Sequence, residues 1–334
     1  MIELLIANKE TGEIWDVANI CTSAVELSTE RSGSPARLSF TVFLKDGISF
    51  SHGDIVRFSS DGKLQFYGYI FTLQHDRWGN CSVLAYDRLR YLKTNATYAF
   101  YAMTAGDIIK QIAEDLQLDV GAIEDTGYKI PSLIESDKSC MDIIQDAINQ
   151  TLLNTGVVYV FYDDGDGLAL RQAGGWVSEV ILGDKSLMTN FTYQTDIDTN
   201  VYNQVKLVRP NEGTGRLDVY IAQDSDNIGR WGLLQLYQSV DEGLNLAQIA
   251  ERAKRTLDYY NRVRRSVTFD SIGVDGVRAG MMIRILIPNA GFDSIAAWVL
   301  LESVTHSYSE GAHTMNISTL ELTDDLIGRA SADQ

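Results

Sequence analysis

The residues best equipped for chemistry in this sequence are four histidines and 45 acids. His75 and His306 each close a long apolar run, and His313 follows seven residues after His306. Strand alternation could bring His306 and His313 together across a hairpin. A zinc site needs at least three protein ligands, and no third is evident, so no metal site is expected. The acidic run Asp163-Asp164-Gly165-Asp166-Gly167 has the composition of a calcium loop. Its acids do not fill the first, third and fifth positions of an EF-hand together, and no glutamate closes it. Asp and Gly between two apolar strands are what a tight hairpin turn requires. With 45 acids, carboxylate pairs at glycosidase spacing arise by chance, so no acid pair can be singled out.

Nucleophile and nucleotide patterns are missing as well. Ser34, in Arg31-Ser-Gly-Ser34-Pro, does not fit a GxSxG elbow. Gly183-Asp-Lys-Ser186 lacks the upstream glycine loop that cradles phosphate. Gly165-Asp-Gly167 and Gly213-Thr-Gly215 lack both a third glycine and a following helix. Cys21, Cys81 and Cys140 are spaced about 60 residues apart, too far for a zinc knuckle and odd in number for a disulfide framework. The expectation is a chain with no catalytic residues, no cofactor and no metal.

Composition narrows the class further. The chain has 334 residues, 45% apolar and 22% charged, which suits packed cores rather than disorder. Its 28 basic residues against 45 acids give a net charge of −17. Such a chain is poorly suited to grip nucleic-acid phosphates or an anionic membrane surface. The start, Met1-Ile-Glu-Leu-Leu-Ile, has no basic region ahead of its apolar run, so synthesis in a reducing cytoplasm is expected.

The pattern divides into three parts: a β-barrel-like domain over 1–97, an α+β domain over 98–190, and a second β-barrel domain over 191–334 with one inserted helix near 245–260. In the first, Leu38, Phe40, Val42 and Leu44 share a face, and turn signals recur at Asn8–Gly12, Asp46-Gly47, Asp61-Gly62 and Gly79-Asn80. In the second, Thr104 and Ser139 each precede an acid by three residues and open apolar-striped helices. The first stripe is Ile108, Ile109, Ile112, Ala113 and Leu116; the second is Ile143, Ile144, Ala147, Ile148 and Leu152. In the third, Leu246, Ile249, Ala250, Ala253, Leu257 and Tyr260 form a helical stripe. The polar tail after Thr323 is expected to fray.

The first and third parts resemble each other. Gly53-Asp-Ile-Val-Arg57-Phe58 matches Gly280-Met-Met-Ile-Arg284-Ile285. Turn-rich stretches follow (59–63 and 288–294), then long strands ending in His75 and His306, then Gly79 and Gly311. Leu38-Ser-Phe-Thr41 matches Val267-Thr-Phe-Asp270. Duplication of one β module explains this shared order; a common strand–turn rhythm is the ordinary alternative.

Six collinear stretches carry a family resemblance: Tyr67-Gly-Tyr-Ile-Phe71, Ala85-Tyr-Asp-Arg-Leu-Arg-Tyr-Leu92, Thr104-Ala-Gly-Asp-Ile-Ile109, Asp125-Thr-Gly-Tyr128, Tyr202-Asn-Gln-Val-Lys-Leu207 and Val277-Arg-Ala-Gly-Met281. They resemble phage tail proteins of the YqbQ/XkdQ type, known from the PBSX prophage, and more widely baseplate hubs of the late-control D group and type VI spike proteins. The resemblance implies a mainly β chain with two tube-protein-like barrels. It also implies a homotrimeric ring that joins a sixfold tail tube to a threefold spike, in a phage or a tail-like particle. Its partners would be tube, spike and other baseplate proteins, with DNA only as transient channel cargo and no membrane binding. Acids lining such a channel would keep DNA from sticking, although solubility alone also explains surplus acid. Trp231 and Tyr237 are candidate interface residues, with core packing the alternative. Two rival functions stand beside this one. Residues 103–121 are similar to half of a LysM glycan-binding module, and an acid pair could serve a cell-wall hydrolase.

Overall fold

The computed structural model describes residues 2–44, 48–183, 186–198, 200–211, 215–240, 245–287 and 295–320. The turn signal at Asp46-Gly47, the Asp184-Lys185 fragment, Gly213-Thr214, the 288–294 turn and the tail after Thr323 lie outside them.

The first module comprises Ile2–Ala7 (β1), Ile14–Asp16 (β2), Val25–Glu30 (β3), Arg37–Phe43 (β4), Ile55–Ser60 (β5), Lys63–His75 (β6) and Asn80–Tyr86 (β7). They are hydrogen-bonded in the order β3-β4-β7-β6-β5-β1-β2, every pair antiparallel. The expected alternation holds on β4. Leu38, Phe40 and Val42 are buried, and Leu44 packs against the same core.

The α+β part follows: Asn95–Met103 (β8), Ala105–Asp115 (α1), Val120–Ile123 (β9), Ile130–Ser139 (β10), Cys140–Thr155 (α2), Tyr159–Asp163 (β11) and Leu168–Gln172 (β12). Both helices start where the caps predict. Thr104 Oγ1 accepts the Asp107 amide at 3.1 Å, and the Asp107 carboxylate accepts the Thr104 amide at 3.2 Å. Ser139 Oγ accepts the Asp142 amide at 3.1 Å. Ile108, Ile109, Ile112, Ile143, Ile144 and Ala147 are wholly buried in one core with Leu168 and Leu170. The apolar stripe of α1 is therefore spent on packing.

The remaining strands are Val177–Gly183 (β13), Met188–Asp196 (β14), Gln204–Asn211 (β15), Arg216–Gln223 (β16), Gln235–Ser239 (β17), Arg264–Ile272 (β18), Met282–Ile287 (β19), Ile295–Ser309 (β20) and Ala312–Thr319 (β21). Ser225–Trp231 (α3) and Leu246–Tyr260 (α4) are the helices among them. The chain separates into two compact units, one of residues 1–192 with 268–320 and one of 193–267.

In the smaller unit, β16-β15-β17 form a sheet covered on one face by α4. The helix expected near 245–260 is thus the cover of a small sheet, with Asn245 as its N-cap. Its buried stripe is narrower than expected. Ile249, Ala253 and Leu257 are buried, whereas Ala250 and Leu246 are exposed, because a three-stranded sheet covers only a narrow stripe of the helix.

In the larger unit, β14, β18, β21, β20, β19 and β13 are neighbours in that order. This is the order β3-β4-β7-β6-β5-β1 of the first module, strand for strand. Gly53 donates its amide to Ile70 at 2.8 Å, and Ile70 donates to Asp54 at 2.9 Å. Gly280 donates to Leu301 at 2.8 Å, and Leu301 donates to Met281 at 2.9 Å. Both glycines sit at positive φ, +86° and +91°, a conformation that other side chains strain to adopt. Paired with the strand that follows it, each long strand shifts register at one residue, Phe71 in β6 and Glu302 in β20, each four positions before the matched histidine. One departure stands out: β1 runs antiparallel to β5, whereas β13 runs parallel to β19.

The two modules share a seam. β20 pairs with β3 from Ser303↔Glu30 to Tyr308↔Val25. Tyr308 thereby enters the first module's core, its ring 4.8 Å from that of Phe58 and edge-on to it.

Candidate functional site

The most unusual chemistry in the larger unit is a buried cluster of charges. Asp87 follows β7 and caps the short helical turn Arg88–Lys93. Its Oδ1 accepts the Leu89 amide and its Oδ2 the Ala36 amide, both at 3.0 Å. Arg88 points into the interior, where its Nη1 meets Asp163 Oδ1 at 3.0 Å and Oδ2 at 3.1 Å. The Arg88 amide also donates to Asp163 Oδ2, at 3.1 Å. From the start of the second module, Arg278 Nη1 donates to the Asp163 carbonyl at 2.9 Å and lies 4.6 Å over the Tyr162 ring. Beside them, Thr29 Oγ1 accepts the Ala279 amide at 3.1 Å. Two acids and two guanidiniums from three stretches of chain thus compensate one another around a cavity of about 60 Å³.

Burial dominates the electrostatics here. It pushes the Asp87 carboxyl up to about 8, with the Asp163 charge adding to the effect. It also raises Asp163, against the pull of Arg88, and lowers Arg278. Arg88 and Asp163 pair directly, the Nε atoms of Arg88 and Arg278 are buried without a hydrogen-bond partner, and the cavity has room for water but not for a sugar or nucleotide. The arrangement is a clamp between three parts of the fold.

Sequence reasoning missed this clamp. The hairpin-turn reading of residues 163–167 leaves out that the Asp163 side chain is only 2% exposed. Asp164 does the turn's work, accepting the Asp166 and Gly167 amides. The signal lay in the family stretches, since Asp87 and Arg88 stand in Ala85–Leu92 and Arg278 in Val277–Met281.

The histidines do meet across the β20–β21 hairpin. His306 Nε2 donates to the Val277 carbonyl at 2.7 Å, which leaves Nδ1 to accept from His313 Nε2 at 2.9 Å. His313 Nδ1 is 3.7 Å from Asp275, whose carboxylate also accepts the Tyr308 hydroxyl at 2.9 Å. The facing nitrogens are committed to each other. Among the described residues no three His, Cys, Asp or Glu side chains are grouped to hold a metal. His75, its counterpart, lies 3.9 Å from the Cys81 sulfur instead.

Burial pushes His306 down to about 4. The unfolded chain takes up this proton near pH 6.5, but the folded chain resists it until about 4. The resulting stability is complete above the unfolded value and is lost as pH falls through that window, by about 3 kcal/mol. Thermal unfolding between pH 7 and 4 should show this loss, and His306→Gln should flatten it. An equal slope in both proteins would refute the assignment.

In the smaller unit, Trp231 ends α3 half-buried. Tyr237 on β17 is 52% exposed, with Lys206 5.8 Å from its ring. On the opposite edge strand β16, Leu217, Val219 and Ile221 are also exposed. Tyr237 is therefore outside that unit's core.

The fold is that of a phage tail protein. The 43 kDa tail protein of prophage MuSo2 from Shewanella oneidensis superposes with a TM-score of 0.70 at 13% identity, over 97% of this chain and 99% of that one. A component of the Escherichia coli type VI secretion system, c3393, described as similar to the T4 tail proteins gp27 and gp5, superposes at 0.54 and 12% identity, over 90% of this chain and 74% of that one. The chain belongs to the YqbQ-like family, whose profile matches residues 25–320. Its relative XkdQ, from the phage-like element PBSX of Bacillus subtilis strain 168, is 31% identical over 332 residues, spanning 96% of this chain and 97% of the relative.

Proposed function

We propose that this chain is a structural, non-enzymatic hub of a contractile tail baseplate. Three copies form a ring that joins the sixfold tube to the threefold spike and leaves a central channel. The observation that carries this reading is the repeated strand order, β3-β4-β7-β6-β5-β1 against β14-β18-β21-β20-β19-β13. A closed ring repeats one interface around its axis, and three chains with two like modules present six. The copies are the modules built on β1–β7 and on β13, β14 and β18–β21, each barrel-like in the manner of a tube subunit. The α+β part lies between them in sequence.

The partners are then tube, spike and other baseplate proteins, with Trp231 and Tyr237 at one such contact and DNA only in passage. The chain is made in the host cytoplasm and ends in the virion or tail-like particle. Its −17 charge fits a channel that DNA must not stick to.

The test is the mass and symmetry of the assembled chain. Native mass spectrometry of the purified protein should give a trimer, and averaged electron micrographs a ring with six peripheral lobes. Monomers or dimers alone, across the accessible concentrations, would sink the reading.

A further inference from the structure

The outward face of the first module carries a connected strip of aromatic rings. Tyr67, Tyr69 and Phe71 alternate on β6, and Tyr91 lies in the turn after β7. Ring centroids are 5.9 Å apart for Tyr67 and Tyr69, 5.7 Å for Tyr69 and Tyr91, and 5.6 Å for Phe71 and Tyr91. The rings contact one another yet lie outside the core, each partly exposed, with Tyr91 at 37%.

Cations sit on them. Lys9 Nζ is 4.4 Å from the centre of Tyr69, and the Arg90 guanidinium is 5.4 Å from that of Phe71. Arg57 lies opposite Tyr67 across the β5–β6 pairing and is exposed. At the Tyr67 end, the clamp's Arg88 lies 4.6 Å from the ring centre, and Asp119 lies 3.4 Å from Arg88 Nε.

Only part of this strip recurs in the second module. The second module has the same strand order and the same glycine-anchored strand start. Its counterparts of Tyr67, Tyr69 and Phe71, aligned on the matched histidines, are Trp298, Leu300 and Glu302. Leu300 is buried, and Glu302 is tied to Arg31 at 2.6 Å. Trp298 is itself 42% exposed and stands opposite exposed Arg284, as Tyr67 stands opposite Arg57, so what the second module lacks is the Tyr69 and Phe71 rings. Tyrosine and arginine clustered in this way are the composition of protein-interface hot spots.

We propose that this strip is where one copy of the chain grips the acidic surface of a second copy. The argument for that occupant is charge. The chain as a whole carries −17, so a neighbouring copy presents mainly acid, and Lys9, Arg57 and Arg90 meet it with the opposite sign. The contact is head-to-tail, strip against a different surface, and such contacts close into rings. The inference rests on the ring reading above and adds the face that forms the ring.

The test uses the full chain, with sedimentation velocity between 50 and 500 mM salt, on the order of the range over which screening acts. The wild type should form trimers that weaken as salt rises. Tyr69→Ser with Arg90→Glu should weaken association by about tenfold or more while circular dichroism and melting stay unchanged. Lys9→Glu with Arg57→Glu, at exposed positions, should do the same if the first variant folds poorly. A folded variant that trimerises as the wild type does overturns the strip and leaves the ring reading standing. So does a variant that keeps its trimer but loses another baseplate protein. A wild type that never self-associates overturns both.

Discussion

Replacing Arg88 with methionine should remove about 3–5 kcal/mol of stability, because it leaves the Asp163 carboxylate buried without its countercharge. The side chains of Arg88 and Asp163 are 6% and 2% exposed, so the carboxylate is cut off from bulk solvent. The Gly165 amide, 2.8 Å from Oδ1, and the Arg88 amide would remain as the carboxylate's donors. Asp163→Asn in the same chain should recover part of the loss, since a neutral amide needs no countercharge. Denaturant unfolding of the two single variants and the double variant measures this coupling. A loss below about 1 kcal/mol for Arg88→Met would mean that the clamp is solvated or dispensable.

Phe58→Ala should cost a comparable amount, about 3–5 kcal/mol, by a different route. Phe58 is fully buried, and its ring edge meets Tyr308, the residue that the second module inserts into the first module's core. Deleting the ring opens a cavity where the two modules meet. The loss combines apolar transfer with the dispersion contacts that the surrounding side chains can no longer make. Phe58→Leu should recover much of it, because most of the volume returns. Thermal unfolding of the three proteins decides the matter. Equal melting for alanine and wild type would show that the seam packs too loosely to hold the modules together.

Both predictions concern pairs of residues that the linear pattern did not join, and the reason is physical. Arg88 and Asp163 are 75 residues apart, and Phe58 and Tyr308 are 250 apart. Nothing local to either position announces its partner. The inserted 193–267 unit was similarly hard to read. Its strands are alternating but short, and only α4 carries a long apolar stripe. The seven-residue helix α3 was missed because it is too short to show a stripe, although Asp224 caps it by accepting two backbone amides. The family stretches pointed at the clamp without explaining it. A residue type at a position can be matched from sequence, but its burial cannot.

What the amino-acid order determined by itself was whatever depends on neighbours within a few positions. The caps at Thr104 and Ser139 placed the starts of α1 and α2, alternation on β4 assigned its buried face, and the glycine-to-histidine order in two distant stretches marked the repeated module. These are short-range consequences of backbone dihedrals and apolar periodicity. Tertiary structure alone decided that β20 would pair with β3, that Asp163 would be buried against Arg88, and that Tyr91 would meet the rings of Tyr69 and Phe71 on one face of the first module. Strand partnership and burial arise from contacts between distant segments, and their free energy appears only once the chain has closed upon itself.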